Sequence, residues 1–195
     1  MSRLFLIGLA SLCALNLSQA GVVITVMESG ADVVADSAGS INTAGLTFVS
    51  AASTTVGVRP SSSRIRVGTG SATDLYSVTF NNSSSIGSGS SFIAASSGTG
   101  PVFGISTSTT LNFPIGYVSG TDISSTATWS DTTLAGLGLT PGSYVFDWGA
   151  DGTADNITVN VGVVVPEPSA YAGAAGFLVL AFAVFRRHQR RTAIA

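Results

Sequence analysis

Between positions 21 and 165 the apolar residues come in short β-branched or aromatic runs, each closed by glycine, serine or asparagine. Val22-Val23-Ile24-Thr25-Val26, Leu46-Thr47-Phe48-Val49, Leu75-Tyr76-Ser77-Val78-Thr79-Phe80 and Ile157-Thr158-Val159-Asn160-Val161 alternate partially with period two, as half-buried strands do. Turn clusters at 68–73, 81–89, 96–101 and 140–142 separate these runs. Residues 131–137 form the one stretch with helical character, and it is long enough for at most one turn. The pattern predicts an all-β chain, an antiparallel β-sandwich or jelly-roll-like single domain.

The sharpest local feature is Tyr144-Val145-Phe146-Asp147-Trp148. Alternation puts Tyr144, Phe146 and Trp148 on one face of a strand, and 149–154 then turns the chain into a second strand carrying Ile157, Val159 and Val161 on one face. This hairpin is expected to close the core, because an aromatic stripe on a strand is more often buried than offered to a sugar.

The two ends read as addresses. Arg3 precedes an apolar run over 4–17, and Ser18-Gln19-Ala20 supplies the small residues expected before cleavage between Ala20 and Gly21, so 1–20 is read as a secretory signal peptide. At the other end, Pro166-Glu167-Pro168 stands before an uncharged segment over 170–185, followed by Arg186, Arg187, Arg190 and Arg191. As a helix, 170–185 is about 24 Å long, short for a hydrocarbon core of about 30 Å but long enough if Tyr171 and Arg186 reach the interfaces. Four arginines resist translocation and hold that end in the cytoplasm, leaving the 21–162 body outside.

These C-terminal elements resemble the PEP-CTERM sorting signal of Gram-negative bacteria, with 163–195 as the signal. The tract from Leu137-Gly138-Leu139-Thr140-Pro141-Gly142-Ser143-Tyr144 through Trp148-Gly149, followed by Ala154-Asp155 and an alternating strand, is similar to the region that precedes such signals. The resemblance implies a substrate of exosortase, a membrane-embedded transpeptidase-like enzyme, cut near Pro166 to Pro168 and passed to the cell surface or extracellular polymer. Signal peptidase, a secretion channel and a transient inner-membrane anchor are the further partners it implies. It assigns the body no activity.

The chemistry available to the body is narrow. All eight basic residues of the chain are arginine, and Cys13 and His188 fall in the terminal pieces, so residues 21–165 contain no lysine, histidine or cysteine. A serine nucleophile there lacks its usual base, zinc lacks its nitrogen and sulfur ligands, and a phosphate loop lacks its lysine. No cofactor is expected. Nine carboxylates stand against Arg59, Arg64 and Arg66, a balance that disfavours nucleic acid. Paired carboxylates remain as a glycoside-hydrolase alternative, but most of these acids sit beside Gly, Ser or Thr, where Asp makes turns.

Two further constellations are weighed. Asp147, Asp151 and Asp155 fall at spacings suited to a calcium loop, yet Gly149 and Thr158 stand where further ligands are needed, and a solvated acidic turn is the favoured reading. Arg64 and Arg66 share a face of an extended segment and are able to grip an acidic polymer; solvated arginines offsetting nearby Asp are the plainer alternative. The reading is a non-enzymatic exported surface or matrix protein, associated with exopolysaccharide or biofilm. The main alternative is a carbohydrate-binding module, which requires Tyr117, Trp129 or Trp148 on an exposed flat face.

Overall fold

The computed structural model describes residues 21–70, 72–82, 84–150 and 152–163. The expected signal peptide with Ala20, the Pro166-Glu167-Pro168 motif, the 170–185 helix, the arginines at 186, 187, 190 and 191, and Asp151 all lie outside the described residues.

The described chain is all-β apart from two short 3-10 turns, Thr43–Gly45 and Pro60–Ser62. One sheet has six strands in the order β12(Gly142–Trp148), β13(Asp155–Val161), β1(Gly21–Ser29), β2(Asp32–Ser40), β11(Asp122–Trp129), β8(Ser97–Thr99). The other has seven, in the order β3(Thr47–Ser53), β6(Ala72–Ser77), β10(Thr110–Phe113), β9(Phe103–Thr107), β5(Arg64–Val67), β4(Gly57–Arg59), β7(Ile93–Ala94). The two sheets supply one continuous apolar cluster, a β-sandwich-like arrangement. Val22, Ile24, Val26, Ile157, Val159 and Val161 come from the first sheet, and Val58, Ile65, Val67, Phe103, Ile105, Leu111 and Phe113 from the second, all fully buried.

The expected hairpin is present. Tyr144 pairs with Val159, Phe146 with Ile157 and Trp148 with Asp155; Phe146 and Trp148 are buried and Tyr144 packs against the core. At 131–137 a single helical turn forms, with Leu137 N–H donating to Thr133 O at 3.0 Å.

Three expectations need correction. β1 and β13 pair in parallel, Val22 beside Ile157 and Val26 beside Val161, so the sheet is not wholly antiparallel. Parallel neighbours need a long crossover, and here nearly the whole body connects them. The 96–101 cluster, read as a turn, contains β8, which pairs with β11 through Thr126↔Thr99 and Thr128↔Ser97. The 75–80 run leaves its strand at Ser77; Phe80 instead bridges Trp148 and packs edge-on to Phe146 at 5.6 Å.

Candidate functional site

The site grows from the β4–β5 hairpin. Pro60 fixes φ at the first position of the connecting 3-10 turn, and Ser63 closes it in the left-handed region at φ 55°. The turn is tied to the distant 84–90 segment: Ser63 Oγ donates to Ser84 O at 2.8 Å, Ser61 N–H to Gly89 O at 2.9 Å and Ile86 N–H to Pro60 O at 3.2 Å. The sequence Arg64-Ile65-Arg66-Val67 then alternates as a strand must. Ile65 and Val67 enter the core, and both arginines stand on the other face.

Register places all three arginines of the body together. Arg59 is opposite Arg64, and Arg66 lies between Gly57 on β4 and Gly104 on β9. Phe92 is the shared partner, its ring centroid 5.8 Å from the Arg64 guanidinium carbon and 5.2 Å from that of Arg66. Burial, and next the positive charge of Arg64, lower the Arg66 pKa to about 10. Arg66 is 7 % exposed, and its Nε has no hydrogen-bond acceptor.

Arg59 and Arg64 are held differently. Arg59 Nε donates to Ser90 O and Arg64 Nε to Ser106 O, each at 2.7 Å. These bonds fix both forks while leaving their terminal nitrogens uncommitted, and among the described residues neither guanidinium meets a carboxylate. Both line a cavity of about 360 Å³. Its floor is apolar, made by Phe80, Ile105 and Phe146, and its walls are hydroxyls: Ser61, Ser62 and Ser63 from one turn, Ser84 and Ser85 from a second, Thr107 and Ser108 from a third.

The other sequence candidates are placed elsewhere. Asp147 and Asp155 project from opposite faces of the hairpin: Asp155 shares the inward face of its cross-strand partner Trp148, and Asp147 the outward face of Asn156. Asp147 Oδ2 accepts from Asn81 Nδ2 at 3.0 Å, while Asp155 accepts the backbone N–H groups of Asn42 and Asn156. Burial raises the Asp155 pKa, and those two N–H groups pull it the other way. No group of three metal-ligating side chains forms among the described residues.

Other acids act as ties for loops. Glu28 accepts from Leu134 N at 2.8 Å, Asp32 from Asp131 N at 3.0 Å, and Asp74 from Gly116 N at 2.8 Å. Of the aromatics that a sugar platform requires, Trp129 and Trp148 are buried, with Trp129 Nε1 donating to Ile93 O at 3.1 Å. Tyr117 is half-buried and donates its hydroxyl to Thr121 O at 2.6 Å. Sequence reading found the arginines but missed Phe92 and the hydroxyl walls, which come from serine clusters legible only as turns. In comparisons with protein-family models, curated proteins and solved structures, nothing matches this chain.

Proposed function

We propose that the chain is an exported, non-enzymatic surface or extracellular-matrix protein, carried across the inner membrane by its signal peptide and held there by 170–185. An exosortase-type enzyme then cuts at Pro166-Glu167-Pro168 and releases the body to the cell surface or its polymer. The observation that carries this reading is the order of segments along the chain: Arg3 and an apolar run ending at Ala20-Gly21, then an all-β body, then Pro166-Glu167-Pro168, an uncharged stretch over 170–185 and the arginines at 186, 187, 190 and 191. Gly21 is also tightly seated: a Cβ there would lie 2.9 Å from Asn156 Oδ1.

The placement of polar groups supports a non-enzymatic body. Five carboxylates serve as acceptors that fasten loops and strand ends. The buried tryptophans favour a core role over the aromatic sugar platform.

The test is expression in hosts with and without the sorting enzyme, followed by mass spectrometry of the mature termini. The expected product of the competent host begins at Gly21 and lacks 186–191. A product from that host still bearing Arg186 to Arg191 contradicts the proposal.

A further inference from the structure

We propose that the Arg59–Arg64 cavity binds a carboxylate-bearing sugar unit, of the uronic acid class. This goes beyond the sorting reading and does not depend on it. Charge is segregated in the body. The body has nine acids and three arginines, yet all three arginines converge on one patch, and no carboxylate lines the cavity. Chance scattering of three cations among nine anions gives offset pairs; here Arg59 and Arg64 are partners in the β4–β5 register and line one cavity without a counter-ion among the described residues.

The two forks are also preorganised. Arg59 and Arg64 are cross-strand partners, with Cα atoms about 4.5–5.5 Å apart in such a pair. Each fork is locked through Nε to a backbone carbonyl. Holding two like charges together costs free energy that an incoming anion recovers, and the planar fork suits a carboxylate. Arg66 adds a third, buried positive charge behind them, braced on the same Phe92 ring as Arg64.

The lining matches a sugar ring. Seven hydroxyl side chains from three turns form the walls, and an apolar floor with Phe80 and Phe146 lies beneath. A pyranose ring presents hydroxyls around its edge and C–H groups on its face, so walls and floor each meet their complement. A volume of about 360 Å³ lies at the small end of the ~300–1,000 Å³ typical of ligand pockets, room for one or two sugar rings and not for a large cofactor.

The experiment is calorimetric titration of the full chain, purified in detergent, with di- and trigalacturonate, with the neutral galactose oligomers, and with inorganic phosphate. The acidic oligomers are expected to bind at least about tenfold more tightly than the neutral ones, and Arg59→Gln or Arg64→Gln is expected to weaken them about tenfold each. Ser108→Trp, at an exposed turn position on the cavity wall, fills the space with all three charges kept and is expected to abolish binding. Circular dichroism of each variant separates lost binding from lost folding. Equal binding of neutral and acidic oligomers overturns the proposal. So does phosphate binding as tightly as the uronates, which marks a simple anion site, or binding unchanged in the folded Ser108→Trp protein.

Discussion

Gly57 stands directly opposite Arg66 in the β4–β5 register, and the edge of the Phe92 ring occupies the space that a side chain at position 57 would fill. A Cβ there would lie 2.6 Å from Phe92 Cζ and 2.5 Å from Ile93 O. Glycine at this position is therefore what lets one aromatic ring brace two cations.

Gly57→Ala is expected to displace Phe92 and cost about 1–3 kcal/mol, the range for overpacking a filled site. Chemical denaturation of wild type and variant checks it. Equal stability contradicts the close packing of Gly57 against Phe92 and the Ile93 backbone.

Arg66 is a buried cation with an unpaired Nε and a like charge beside it. At neutral pH it stays protonated, so the cost of burial is borne by the folded state. Arg66→Met keeps the apolar stem as far as the position of Nε and removes the charged fork, and it is expected to raise stability by about 1 kcal/mol. If the cavity takes a uronate, the same variant binds it more weakly, a trade of stability against affinity that titration and melting together read out.

Asp155 carries the main pH dependence traceable to one group. Its pKa is raised in the folded state, so the protonated form favours folding. Its contribution is full below the ordinary carboxylate value of 3.8 and is lost as pH rises through the raised value. Asp155→Ala is expected to flatten that part of the melting-temperature profile. It also removes the acceptor of the Asn42 and Asn156 N–H groups, at a cost of about 1–3 kcal/mol at neutral pH. Melting curves from pH 3 to 7 check both.

Trp148 tests the core reading of the aromatic stripe. It is 1 % exposed and packs edge-on to Phe80 at 6.1 Å. Trp148→Ala is expected to cost about 3–5 kcal/mol, as truncation of a buried aromatic does. A variant as stable as wild type, measured by thermal melting, contradicts a core role.

What the residues disclosed in advance followed from how strongly each segment alternates. β1 and β13 are legible because Val22, Ile24 and Val26, and Ile157, Val159 and Val161, leave no doubt about the buried face. β2 is not legible, because its inward positions include Ala35 and Ser37, which carry almost no apolar signal. Ser37 is instead settled by contact, its hydroxyl donating to Ser125 O at 3.0 Å. The arginines of β5 were legible as a shared face from Arg-Ile-Arg-Val alone. Their burial was not, since Phe92 and the 84–90 segment reach them only through tertiary packing.

Export requires the β body to lie on the outer side of the inner membrane. An epitope inserted between Gly30 and Ala31, in an exposed turn where added atoms at Gly30 meet nothing within 4 Å, reports its location. In spheroplasts treated with protease, the epitope is expected to disappear while the membrane is still intact. An epitope that survives until the membrane is lysed puts the body in the cytoplasm and contradicts export.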